Sequence, residues 1–281
     1  MISLDDIRAA ADRVRPHVRR TPVLDVEADA LGVDRPLSLK LEFLQVTGTF
    51  KARGAFNALL SAPLPAAGVC AASGGNHGFA VAHAARRLGV PARIFVPEIS
   101  SPAKITRIRE TGVELVVGGA RYADALTACE AYAARTAARS IHAYDAWPTI
   151  AGQGTVGLEW QEQTPGLDTV LVAAGGGGLV SGIARWFESR VRVVAVEPEG
   201  SCALHRALAA GAPVDVPVQS VAADSLGAAN VFSRVHQTCA RYLDHVALVP
   251  DSAILEAQRR LWLGLRVAVE PGGAAALAAL V

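Results

Sequence analysis

Short runs of β-branched residues alternate along the chain with longer stretches of helical period. "ARIFVP", "VELVVGG", "TVLVAAGG", "VRVVAVEP" and "HVALVP" are apolar at most positions, with glycine or proline at most of their ends. Such runs predict strands buried on both faces. Between them, "SSPAKITRIRETG" predicts a helix with Ser101 as N-cap, Pro102 at the first helical position and Gly112 as its stop. "NHGFAVAHAARRLG" ends at Gly89 in the same way. Strand–helix–strand alternation predicts an α/β fold with mostly parallel sheets. Two stretches, "SAPLPAAG" and "YDAWPT", break the pattern, and the run between them reads β-α-β-α-β-α. They predict a small domain, residues 65–145, inserted into a larger one built from residues 1–64 and 146–281.

Composition narrows the classes. At 281 residues the chain can bury a large core, and 51% apolar with 19% charged residues is a globular composition. A net charge of +1 offers no field for nucleic acid or an anionic membrane. Apolar runs such as "AAALAALV" are too short to span a bilayer. The N-terminal stretch carries Asp5, Asp6 and Asp12 and no apolar signal core, so no export signal is expected. Cys70, Cys129, Cys202 and Cys239 are scattered without a C-x-x-C pair. They read as small buried hydrophobes in a reducing cytoplasm, not as zinc ligands or a disulfide framework.

Three stretches carry chemistry. Of 27 basic residues only Lys40, Lys51 and Lys104 are lysine, and Lys51 sits in "TGTFKARGA" among small residues. Lysine can lose its proton and attack a carbonyl, which arginine cannot. The plainer reading of that stretch is an exposed lysine at a helix start. "DTVLVAAGGGGLVSGIARWFESRVRVVAVEPEG" reads strand, glycine loop, helix, strand. Gly175, Gly176, Gly177 and Gly178 let successive N–H groups converge on a phosphate beside the positive end of a helix; a tight turn without ligand is the alternative. Glu197 follows by about 20 residues, the offset of a dinucleotide-binding carboxylate. That leaves a nicotinamide enzyme as a second reading, although "GGGGLVSG" does not keep the G-x-G-x-x-G spacing cleanly and Lys51 would have no role. The third stretch, "AASGGNHGFAVAHA", places Ser73, Asn76 and His77 at another strand-to-helix turn. Its amides suit a carboxylate or a phenolate. Ordinary capping by Ser73 or Asn76, with His77 structural, is the alternative.

Taken together, "TPV", "LKLEFLQVTGTFKARGA", "SGGNHG", "GQGTVGLE", "AAGGGGLVSGIA", "AVEPEG", "ADSLGA" and "VEPGGAAALAAL" run nearly end to end. In this order they resemble the fold-type II pyridoxal-phosphate enzymes, a tryptophan synthase β-like α/β fold of two domains, and most nearly the threonine/serine dehydratase and serine racemase group. The resemblance implies pyridoxal 5'-phosphate as cofactor, held by Lys51 through its amine. Phe50 would lie beside the ring, and Asn76 would bind the ring hydroxyl. Gly175, Gly176, Gly177 and Gly178 would cradle the phosphate, with Gly227 near the cofactor. Thr47, Ser73, Asn76 and His77 would line the substrate carboxylate site. A homodimer is the assembly it implies, with a small amino acid as the only ligand partner.

Departures from the group sharpen the expectation. Its racemases carry a serine after the Ser73 position as the proton carrier of the second face; Gly74 stands there, so β-elimination is favoured over racemisation. Its metal site needs an aspartate a few residues after the glutamate matched by Glu197; Ser201 and Ala203 follow instead, so no metal is expected. The chain stops at Val281, where the group continues to a strand bearing a residue beside the pyridine nitrogen; a further C-terminal tail is expected. The implied activity is a cytoplasmic ammonia-lyase converting L-threonine and/or L-serine to 2-oxobutyrate or pyruvate plus ammonia. Another lyase of the fold, such as a hydroxyaspartate dehydratase, and a non-catalytic amino-acid-binding relative stay open.

Overall fold

Each of the five β-branched runs becomes a strand in a computed structural model that describes residues 1–281. After helix α1 (Leu4–Val14), strands β1 (Val23–Val26) and β2 (Leu37–Lys40) form an antiparallel ribbon. Helix α2 (Lys51–Leu60) follows. Four parallel strands then make one sheet, in the order β5-β4-β3-β6. These are β3 (Val69–Ala72), β4 (Ala92–Val96), β5 (Glu114–Val117) and β6 (Arg139–Ser140). Helices α3 (Asn76–Leu88), α4 (Pro102–Arg109) and α5 (Tyr122–Thr136) connect them.

Helix α6 (Trp147–Gln163) returns the chain to the other body. There β7 (Thr169–Ala173), β8 (Arg192–Pro198) and β9 (His245–Val249) form a parallel sheet in that order. Helix α7 (Gly178–Phe187) joins β7 to β8, and α8 (Ala203–Ala210), α9 (Ala223–Leu226) and α10 (Phe232–Tyr242) lie between β8 and β9. Helices α11 (Asp251–Leu265) and α12 (Pro271–Ala278) close the chain. No helix is long and apolar enough to cross a membrane.

The cores explain the layers. Ile7 of α1, Ile150 of α6, Val180 and Ile183 of α7 and Val193 of β8 share one buried cluster. A second gathers Val81 and Ala84 of α3 with Ile94 of β4, and takes in Phe56 and Leu59 of α2. Helix α2 therefore packs on both bodies, which holds its first residue, Lys51, at the seam between them. The proposed division into residues 1–64 with 146–281 and residues 65–145 rests on this separation of sheets. At α4, Ser101 takes the N-cap position but makes no side-chain cap bond, and the helix closes at Arg109. Gly112 lies beyond it in a left-handed turn (φ 78°) rather than acting as the stop. Three strand-to-helix connections converge at the seam: β3 to α3, β6 to α6 and β7 to α7. Ligands of open parallel sheets bind at such carboxyl ends.

Candidate active site

Lys51 begins α2, and its half-buried amine donates to the Ala143 carbonyl at 3.0 Å. It lies 5.2 Å from the centre of the Phe50 ring. No carboxylate partners it, and burial pulls its pKa down to about 8. A lysine in that state is part neutral near physiological pH, the condition a nucleophile or proton acceptor needs. The same extended segment holds a second group. Two residues earlier, the Ile141 carbonyl lies 2.9 Å from His77 Nε2. Burial first, then the Lys51 charge, push His77 down to about 3. The ring is thus neutral and donates Nε2–H to Ile141, so what His77 offers the site is its backbone.

The β3–α3 turn keeps its amides free. Gly75 is the N-cap, without a side-chain cap, and the Ser73 hydroxyl accepts only the Gly75 N–H, at 3.2 Å. Capping by Ser73 or Asn76, the plain alternative for this stretch, is therefore not what the fold uses. The amides of Asn76, His77 and Gly78 have no acceptor in the protein. Three open donors at a helix N-terminus suit a carboxylate. The Asn76 side chain reaches across the seam and donates to Glu270 Oε1 at 3.0 Å. Thr47 is buried, its hydroxyl turned to the Thr49 carbonyl and its own carbonyl held by Arg107 at 2.7 Å.

The glycine loop is an open cradle of the same kind. No amide from Gly175 to Val180 has a partner within the protein. Gly177 has φ 78°, a conformation that favours glycine. Gly176 is needed for space: a Cβ there would run into the Tyr144 ring. Gly175 abuts Leu226, which brings the neighbouring Gly227 to the loop. Consecutive unpaired amides, bare of side chains and leading into α7, fit a phosphate. With the Lys51 amine nearby, the residues present fit a phosphorylated carbonyl cofactor.

Residues 14–281 match the family model described as "Pyridoxal-phosphate dependent enzyme". The chain belongs to that family. Its cofactor is pyridoxal 5'-phosphate, and the nicotinamide reading is overturned. Among its relatives in this family is the phenylserine dehydratase of Ralstonia pickettii, 38% identical over 99% of this chain and 88% of that protein. The L-threonine ammonia-lyase of Geobacter sulfurreducens is 37% identical over 98% of this chain and 70% of its own. The maize serine racemase structure superposes with a TM-score of 0.93 at 35% identity, covering 99% of this chain and 86% of that one.

Sequence reasoning missed the segment after β6. His142 Nδ1 accepts the N–H groups of Tyr144 (3.2 Å) and Asp145 (2.9 Å), which leaves the hydrogen of the neutral ring on Nε2. Burial lowers its pKa and keeps it neutral. Tyr144 donates to the Asn230 carbonyl at 2.9 Å and lies against the glycine loop. The aromatic density of "IHAYDAW" was the available signal.

Glu197, the residue behind the nicotinamide alternative, is fully buried at the end of β8. Its carboxylate accepts the N–H groups of Leu204 (2.9 Å) and His205 (2.8 Å) at the start of α8. Burial raises its pKa to about 7, against that partial relief. The folded protein therefore holds a proton that the unfolded chain releases near pH 4.5. Between pH 4.5 and 7 this group should remove about 3 kcal/mol of stability, and none further above 7. In urea unfolding at pH 5 and pH 7.5, Glu197→Gln should abolish that part of the slope; an unchanged slope would refute the assignment.

Proposed function

We propose that the chain is an ammonia-lyase that dehydrates β-hydroxy-α-amino acids, L-threonine and/or L-serine, to the 2-oxo acid and ammonia. The observation that carries the reading is the Lys51 amine, low in pKa and set between an open phosphate cradle and an open carboxylate turn. The names of the three relatives all contain a β-hydroxy amino acid, which agrees with it. When bound, pyridoxal phosphate supplies an electron sink for charge developing at Cα.

The chain's own residues do the rest. Amides from Gly175 to Val180 would hold the phosphate, with Gly227 alongside. Phe50 would flank the ring, and Asn76, steadied by Glu270, would meet the ring hydroxyl. Amides of Asn76, His77 and Gly78, with Ser73 and Thr47 beside them, orient the substrate carboxylate. Lys51 Nζ takes the α-proton; the β-hydroxyl leaves as water, and water re-enters as ammonia departs. The protein would work as a homodimer, for which the exposed Leu255, Trp262 and Leu263 of α11 offer apolar surface, and in the cytoplasm, consistent with four free buried cysteines.

Racemisation is the second reading, and one observation favours it: a Cβ on Gly74 would run into the Ser100 hydroxyl, so a hydroxyl stands beside the position where Gly74 offers none. Following ammonia, 2-oxo acid and amino-acid chirality together separates the two. Release of 2-oxobutyrate or pyruvate matching ammonia, with no D-serine, is the expected result. D-serine as the main product, lost in Ser100→Ala, would replace elimination by racemisation.

A further inference from the structure

Phe232 is the first residue of α10 and holds φ 49°, a left-handed conformation rare for a bulky side chain. The residue is 42% exposed, so burial does not account for the conformation. What the conformation achieves is a cluster. The Phe232 ring stacks on Tyr144 with centroids 5.9 Å apart and planes at 17°. His142 meets both edge-on, at 4.7 Å from Tyr144 and 5.6 Å from Phe232. Asn230 locks the group, its side chain accepting the Phe232 N–H at 2.8 Å and its carbonyl the Tyr144 hydroxyl.

The cluster sits on the reaction centre. Ala143, whose carbonyl holds the Lys51 amine, lies between His142 and Tyr144 in the chain, and Tyr144 packs on the glycine loop. A substrate with its Cα at Lys51 and its carboxylate on the Asn76–Gly78 amides has its β-substituent left to place. On the segment that holds the amine, His142 and Tyr144 are aromatic, while Asp145 is engaged by the Val235 N–H and Arg234. Rings prefer rings in stacked or edge-to-face order, and a methyl group or hydrogen gains little there.

We propose that His142, Tyr144 and Phe232 form the side-chain subsite, with Phe232 as the specificity-determining residue, and that the favoured substrate is a β-hydroxy-α-amino acid bearing an aryl group at Cβ. This rests on the dehydratase reading above. The holoenzyme should then turn over L-threo-3-phenylserine with a kcat/KM at least roughly tenfold above that for L-threonine. Phe232→Gly relieves the left-handed backbone, so the variant should melt no lower than the parent. It should lose roughly tenfold or more in kcat/KM for phenylserine while the threonine value stays within about threefold. Tyr144→Leu, which keeps apolar bulk without a ring, should move the same ratio in the same direction.

A parallel binding measurement needs no turnover. L-phenylalanine, which has no hydroxyl to lose, should bind the holoenzyme more tightly than L-2-aminobutyrate, and Phe232→Gly should erase the difference. Threonine turnover with an unmoved phenylserine-to-threonine ratio would overturn the subsite and leave the dehydratase reading intact. No 2-oxo acid from either substrate would overturn the dehydratase reading, and the binding ratio would still decide the subsite: equal affinities in the parent holoenzyme would end it.

Discussion

Replacing Lys51 by alanine or by arginine is expected to abolish turnover, by roughly 10^4-fold or more, while leaving the protein folded. Its side chain makes a single hydrogen bond, to Ala143, and no ion pair, so little of the fold depends on it. Alanine removes the amine. Arginine keeps positive charge but cannot lose its proton, so it separates nucleophilicity from charge. Purified protein should show the visible absorption of carbonyl-bound pyridoxal phosphate, and both variants should lack it after soaking in the cofactor. Because the amine titrates near pH 8, the rate of cofactor uptake by the apoprotein should climb between pH 7 and 9 and then level off. The low-pH form is the protonated, unreactive amine, so a rate that falls over that range would contradict the assignment. A normal spectrum in Lys51→Ala would remove Lys51 from the chemistry.

The second large effect concerns Arg53, one residue beyond Ala52 in α2 and only 1% exposed. Its guanidinium forks onto Glu42 (2.7 and 2.9 Å) and Glu159 (2.9 and 3.1 Å). Lys40 and the Thr21 N–H complete the coordination of Glu159. Two cations thus balance two carboxylates with their hydrogen bonds satisfied. Burial works to raise the Glu159 carboxyl, and the Arg53 and Lys40 charges outweigh it. Arg53→Met would leave one buried and one half-buried carboxylate with one cation. A loss of about 3–5 kcal/mol in unfolding free energy is expected. Arg53→Lys should lose less, since it restores charge but not the fork. Equal melting of the methionine variant and the parent would show that the network contributes nothing net.

The legible parts of the molecule were those whose signal is local. Strands β4, β5, β7, β8 and β9 announce themselves as apolar runs because both faces of a parallel sheet are covered. The glycine loop is legible because several adjacent residues must all lack side chains, and Lys51 because the chain otherwise uses arginine so consistently. Tertiary pairing was not legible. Glu270 lies in a quoted motif, but nothing local says that Asn76 reaches it. His142 and Tyr144 sit in a loop, Phe232 at a distant helix start, and only the fold stacks them. The capping alternatives at Ser73 and Asn76 failed for a similar reason. Gly75 takes the N-cap, and a turn that leaves its amides bare is indistinguishable in sequence from one that caps them.

Strand β6 is two residues long, paired to β3 only at Arg139 and Ser140. The residues that follow it present one carbonyl to His77 and, two positions on, another to Lys51. A one-residue insertion or deletion between Ala137 and His142 would deliver Ala143 and Ile141 to the wrong side and turn the aromatic side chains away with them. Sequence drift in this protein is therefore constrained in length here more than in composition. The stretch from Ala62 to Ala67 meets β6 through the Arg139 side chain, which donates to the Ala62 and Pro63 carbonyls, and it sets no strand register of its own.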